Sequence, residues 1–290
     1  MSGFAYAAPS SVSEAASLLA GAKGVAKLLS GGTDLLVQLR SGRLKCDLVV
    51  DTKKVPGIFG ISEEGGAFVI GAATPGAEIG AHEGLREAWP GIVEAATLIG
   101  STQVQGRATL AGNLCNASPA ADSVPALIAA RAVAVVAGPA GTRDVPVEQI
   151  ITGPGRTSLA RDEFVLQFRL PPRPRRAADA YLRLIPRTEM DIAVVGCGVN
   201  LQLGEDGTIT DARVCLGAVA PTPVLVQKAA SVLIGGKLDD KTLDQLATAA
   251  EEICAPIEDK RGTIAYRTRI AGVLARRAAT IAHARAEKAR

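Results

Sequence analysis

Apolar residues recur at helical spacing through Val12, Ala15, Ala16, Leu18 and Leu19, directly behind Ser11 and Glu14, which stand at capping-box separation. Gly21 is a plausible stop for that helix. Val25 to Leu29 then reads as a buried strand broken by Gly31 and Gly32, Thr33 to Leu39 as a helix closed by Gly42, and Asp47 to Val50 as a second strand. The order α, β, α, β over residues 1–57 predicts a small α/β unit. From residue 58 the pattern changes. Ile58 to Ile61 and Ala67 to Ile70 read as short strands around Glu63–Glu64–Gly65–Gly66, and Glu83 to Leu98 as a helix interrupted at Pro90. Gly106 to Pro119 has no period and reads as a loop. Pro125 to Arg131 follows as helix, with Ala132 to Val136 and Glu163 to Leu170 as strands.

The proline-rich run 171–176 marks a second boundary, read as an extended, solvated connector whose arginines are otherwise available to a partner. Beyond it, strands near Ile192 to Leu203 and Arg213 to Val219 precede helices at Leu225 to Leu233, Lys241 to Ile253 and Thr263 to Ala284. That is an α+β unit with a helical tail. Three units follow: 1–57, 58–172 and 173–290.

Composition narrows what these units do. The 290 residues are 48% hydrophobic and 21% charged, which excludes wholesale disorder. With 32 basic against 29 acidic side chains and 3% aromatics, nothing points to nucleic acid as a partner. No apolar run is long enough to span a membrane, and no cation precedes Lys23 to form a signal peptide, so a cytoplasmic location with reduced thiols is expected. The five cysteines are widely spaced and the only histidines are His82 and His283, a poor set for holding zinc or an iron–sulfur cluster or for histidine-based hydrolysis. No catalytic residue and no metal ligand is assigned, so any chemistry belongs to a bound cofactor or to another chain.

Two segments are candidate ligand loops. Ser30–Gly31–Gly32–Thr33–Asp34 follows a strand and opens a helix, where free amides and the helix dipole favour a phosphate and glycines permit close backbone approach. On this motif alone an ordinary strand-to-helix turn is the stronger reading, and the Rossmann and Walker spacings are missing. The segment from Thr109 to Ser123 concentrates small and hydrogen-bonding residues with no charge before Asp122. It is suited to wrapping a polar ligand. Asp122 taken alone reads as a turn or helix cap, and Cys115 as a small buried filler.

The stretches "SGGTDLL" and "TLAGNLCNASPAADSVPAL" resemble the FAD-binding middle subunit of molybdenum hydroxylases, the xanthine dehydrogenase and carbon monoxide dehydrogenase type. The resemblance continues in order through "DEFVLQFRLP", "RTEMDIAVVGCGVNL", "LGAVAPTPV" and "DKRGTIAYRTRIAGVLARRA". It implies an α+β fold: two α/β FAD-binding subdomains of the vanillyl-alcohol-oxidase (PCMH) type, then a C-terminal α+β domain. It also implies that Ser30, Gly31, Gly32, Thr33 and Asp34 contact the pyrophosphate, and that Thr109, Gly112, Asn113, Asn116, Ser118 and Asp122 line the opposite side. Val165 or Leu166 would pack near the adenine or flavin. Ser30 stands where alanine is usual, Val194 where some members carry lysine, and Leu225 where arginine is common.

The implied function is an oxidoreductase subunit that passes electrons from partner [2Fe–2S] clusters through FAD to an acceptor. The implied partners are a large molybdopterin subunit and a small [2Fe–2S] subunit, as a dimer of heterotrimers. Two alternatives stand beside it: a self-sufficient FAD oxidoreductase and a flavin-free scaffold subunit.

Overall fold

In the computed structural model, which describes residues 3–289, the strands form three main sheets laid out successively along the chain. The first is parallel, with Leu48–Asp51 between Ala5–Ala7 and Ala26–Leu29. Parallel neighbours require crossovers, and the helices Val12–Ala20 and Leu35–Arg40 supply them. Ser11 caps the first helix by accepting from the Glu14 N–H at 3.1 Å, while the Glu14 carboxylate accepts from the N–H of Ser10 rather than Ser11. Gly42, at φ +69°, closes the second helix. The Ala5–Ala7 strand escaped the sequence pattern because three alternating small and aromatic residues carry no period.

The second sheet is antiparallel, ordered Ile61–Glu64, Ala67–Gly71, Phe164–Leu170, Val133–Gly138, Gly141–Pro146. Glu63 and Glu64 belong to its first strand, and the turn is carried by Gly65 and Gly66 at φ +59° and +81°. Helices Gly76–Ala81, Glu83–Ala88, Pro90–Thr97 and Ser123–Ala129 fall between its second and fourth strands in sequence. Pro90 begins a helix rather than merely interrupting one, because the first helical position needs no donor N–H. His82 caps Glu83–Ala88 through Nδ1, which accepts from the Leu85 N–H at 3.0 Å.

The third sheet, also antiparallel, runs Ala177–Leu184, Val195–Leu203, Ile209–Gly217, Val224–Leu225. Helices Asp240–Glu252 and Ile264–Lys288 follow it, and the long helix packs on its first two strands, while Pro90–Thr97 and Ser123–Ala129 also meet the sheet. That is why Val195–Leu203 is almost wholly buried, with an apolar run from Val195 to Val199 and Asn200 buried beyond it. Approach is close at Gly198, where a Cβ would stand 2.6 Å from the Pro125 carbonyl oxygen.

The 171–176 run is not a purely solvated connector. Arg173 lies 3.9 Å over the ring of Trp89 and bonds Asp179 at 3.1 Å and Asn200 at 3.0 Å. Its guanidinium thereby joins the helical layer to the third sheet.

Two buried carboxyls here give the fold a pH signature. Burial pushes Asp122 up to about 6 against the pull of Arg183 and Tyr181, and Asp179 up to about 6 against Arg173. A carboxyl with a raised folded pKa contributes stability below its unfolded value and loses it as pH climbs through the folded one. Glu163, held low by Arg143, and Asp211, held low by Arg131, do the reverse and lose their stabilisation in acid. Stability is therefore expected to peak near pH ~4, close to the unfolded carboxyl values, and to fall as pH climbs through ~6 toward ~7. Urea midpoints across that range check it, with Asp179→Asn flattening the falling limb. A midpoint rising steadily from pH 5 to 7 contradicts it.

Candidate functional site

The strand Ala26–Leu29 ends at Leu29, and the chain turns through Ser30, Gly31 and Gly32 before the helix Leu35–Arg40. Gly32 has φ +79°, a conformation that costs glycine little. Thr52 Oγ1 donates to the Leu29 carbonyl at 3.4 Å, and Lys53 Nζ reaches the Ser30 carbonyl at 3.5 Å. Lys53 is itself held by Asp51 at 2.6 Å, whose other oxygen accepts from Tyr6 at 2.7 Å. Burial lifts the Asp51 carboxyl, but the bonds from Lys53 and Tyr6 outweigh it and keep it below the ordinary range.

The second segment is not the loop its composition predicted. It contains the helix Leu110–Cys115, capped by Thr109, whose Oγ1 accepts from the Gly112 N–H at 3.0 Å. A six-residue helix with a glycine and an asparagine at its middle carries too little apolar period to be read. Its cap joins the two segments directly: Ser30 Oγ and Thr109 Oγ1 share a hydrogen bond at 3.2 Å. Gly31 also packs on the backbone of Arg107 and Ala108.

Between these segments lies a cleft of about 400 Å³. Ser30, Gly31, Gly32, Thr33 and Asp34 line one wall, and Thr109, Gly112, Asn113 and Asn116 the facing wall. Among the described residues, the backbone N–H groups of Gly32, Thr33, Asp34, Leu110 and Ala111 have no acceptor within the chain. Unpaired amides beside a cavity are donors awaiting an acceptor from outside. Asn113 Oδ1 accepts from both the N–H and the hydroxyl of Ser123, at 3.0 and 2.7 Å, so its Nδ2 is the group left to donate.

Four expected residues stand elsewhere. Asp122 is buried with its carboxylate turned to the third sheet, accepting from Tyr181 at 3.0 Å and Arg183 at 2.7 Å. It therefore acts neither as a helix cap nor as a wall of the cleft. Ser118 closes a local turn by accepting from Ala120 at 3.2 Å. Val165 is core, paired with Val136, and Leu166 sits at an irregularity in the strand, where its carbonyl accepts from Ala72 at 3.0 Å. Glu163 and Phe164, at the entry to that strand, line the cleft instead. Cys115 is exposed and lines the cleft, not buried as a filler.

The sequence reading missed Lys27 and Arg161, which bring positive charge to the cleft, and Thr157 and Leu159 beside them. Arg161 Nη2 donates to the Ala22 carbonyl at 2.5 Å, which ties this segment to the turn after the first helix. Glu163 is engaged by Arg143 through two bonds of 2.7 and 2.8 Å and by the Ala160 N–H at 2.9 Å, which holds its carboxyl below the usual range. No cluster able to hold a metal ion occurs among the described residues, and no helix there is long and apolar enough to cross a membrane.

Residues 2–173 match the family described as the FAD binding domain in molybdopterin dehydrogenase, and residues 180–282 the CO dehydrogenase flavoprotein C-terminal domain. The carbon monoxide dehydrogenase medium chain of Hydrogenophaga pseudoflava is 34% identical, with 97% of this chain and 98% of that one covered. A putative xanthine dehydrogenase FAD-binding subunit of Escherichia coli is 32% identical, with 83% of each covered. Among solved structures, a carbon monoxide dehydrogenase from Hydrogenophaga pseudoflava superposes with a TM-score of 0.93 at 35% identity, covering 97% of this chain and 98% of the other. Quinoline 2-oxidoreductase from Pseudomonas putida superposes at 0.90 with 25% identity, covering 98% of each chain.

Proposed function

The chain belongs to the FAD-binding subunits of the molybdenum hydroxylases, and from that premise we propose that it relays electrons from partner [2Fe–2S] clusters through FAD to an acceptor. The observation that carries this is the pairing of two amide-bearing segments across one cleft, tied by the Ser30–Thr109 hydrogen bond. A diphosphate needs donors without competing acceptors, and the free amides of Gly32, Thr33 and Asp34 are such donors. Lys27 and Arg161 supply the charge. The residues present therefore fit FAD.

In this reading Ser30 to Asp34 hold the pyrophosphate, with Thr109, Gly112, Asn113 and Asn116 opposite. Ser118, Asp122, Val165 and Leu166 support the walls from behind. Bound there, FAD would supply the redox chemistry, being open to one- and two-electron exchange, while the chain would orient it and set its electrostatics. Units 1–57, 58–172 and 173–290 each contain one of the three main sheets. A large molybdopterin subunit would oxidise the organic substrate and a small subunit would carry the iron–sulfur clusters, two such heterotrimers forming the assembly. Five free cysteines, three of them buried, suit a reducing cytoplasm.

The test compares the chain alone with the assembled complex. The chain alone is expected to bind FAD without a covalent bond, releasing all of it on acid denaturation, and its flavin is expected not to bleach with the organic substrate. In the complex the same flavin should bleach within turnover time in a stopped-flow experiment. A colourless chain that FAD cannot reconstitute supports the flavin-free scaffold. Equal bleaching in both preparations overturns the relay and supports a self-sufficient oxidoreductase.

A further inference from the structure

The carboxylate of Asp122 is the end of a connection from the cleft to the third sheet. Asn113 faces the cleft, and its amide oxygen is held by Ser123, the residue next to Asp122. Asp122 is held in turn by Tyr181 and Arg183, both on the strand Ala177–Leu184. The side chains of Arg183 and Asp122 are 4% and 10% exposed. A second grip lies nearby, where Ala218, at φ +63°, donates its N–H to the Pro119 carbonyl at 2.8 Å. The third sheet thus holds the 109–123 segment at two points, while Thr109 ties its other end to Ser30.

We propose that Arg183 is a positioning residue for the flavin site, acting through Asp122 and Ser123 to aim the Asn113 side-chain amide into the cleft. The inference rests on the FAD reading above and adds that the C-terminal unit acts on the FAD site through this contact. Removing the guanidinium leaves a buried carboxylate with Tyr181 alone, and the cheapest relief is movement of the 118–123 turn. That movement frees the Asn113 amide to rotate. Because Arg183 spends one N–H on Asp122 while its buried Nε has no partner, the contact needs a positive donor more than a planar fork. Lysine should therefore serve in its place.

The experiment measures FAD affinity, the bound-flavin absorption envelope and the flavin midpoint potential on the full chain. Arg183→Met is expected to weaken FAD binding about tenfold or more, a ~1.4 kcal/mol change per decade, and to shift the envelope and the potential. Arg183→Lys should restore most of each. Arg131→Met is the control, since it breaks another ion pair to the third sheet, with Asp211, by residues that do not line the cleft. Should Arg183→Met fail to fold, Asp122→Asn carries the test with the same readouts. A folded variant with wild-type affinity, envelope and potential overturns the proposal. So does an equal loss in Arg131→Met, which would make the effect one of general stability. A wild-type chain that takes up no FAD overturns the underlying reading and this inference with it, whereas wild-type binding with an unaffected Arg183→Met overturns this inference alone.

Discussion

Gly31→Ala is expected to lower FAD affinity by about tenfold to a hundredfold while the third sheet stays folded. A Cβ at Gly31 would fall onto the Arg107 carbonyl oxygen and 2.8 Å from its carbon, with Ala108 Cα at 3.3 Å. These are backbone atoms, so no rotamer change relieves the clash. The Ser30–Asp34 turn must move away from residues 107–109, which breaks the Ser30–Thr109 hydrogen bond and opens the cleft. Overpacking of this kind costs about 1–3 kcal/mol, and it falls where the two ligand-bearing walls meet. Flavin content by absorbance and a urea melt of the same preparation check both halves of the expectation. Stoichiometric, tightly held FAD in a folded Gly31→Ala chain would refute the site. Gly32 fails differently: its Cβ would lie 2.8 Å from Leu29 Cδ1 and 3.2 Å from Leu36 Cδ1, at φ +79°. The two glycines are thus needed for chain-to-chain approach and for a left-handed turn, and only then for room around a phosphate.

Trp89→Ala is the second large effect. Trp89 is the only tryptophan, 1% exposed, at the junction of Glu83–Ala88 and Pro90–Thr97. Removing a buried aromatic of this size costs about 3–5 kcal/mol. The ring is also the platform for Arg173, whose other partners, Asp179 and Asn200, are on the third sheet. Losing it leaves Arg173 and Asp179 buried without the packing that fixes their geometry. Against a typical total of about 5–15 kcal/mol, the variant should unfold at a much lower urea concentration. Trp89→Phe, which keeps an aromatic face, should recover at least half of the loss. A Trp89→Ala midpoint within error of wild type contradicts the assignment of this ring to the joint.

Much of the local structure was legible in the residues. The Ser11–Glu14 spacing located a helix start, Gly42 a helix end, and Pro90 a break, because capping and backbone chemistry act within a few residues of their cause. The strands Val133–Gly138 and Phe164–Leu170 were legible as apolar runs. Edge strands such as Ala5–Ala7 and Gly141–Pro146 were not, since a half-exposed edge needs no apolar run and owes its conformation to its neighbour.

The same division holds at the site. Glycine, threonine and asparagine spacing marked both walls of the cleft, nine residues of which the structure brings together. Which residues turned away was decided only by packing. Asp122 carries the composition of a ligand contact, yet Tyr181 and Arg183, about sixty positions later, claim its carboxylate. Val165 and Leu166 lost the cleft to Glu163 and Phe164 by their place along the chain: the cleft meets only the entry to the strand, while Val165 is already paired with Val136 and Leu166 falls at the irregularity beyond it. Arg161 and Lys27 entered it because separate sheets meet there, and a lone cation in a strand or loop carries no mark of what lies across from it. Short-range chemistry is written in neighbouring residues. The partner of a buried charge and the direction of a side chain depend on chain segments that only folding brings within reach.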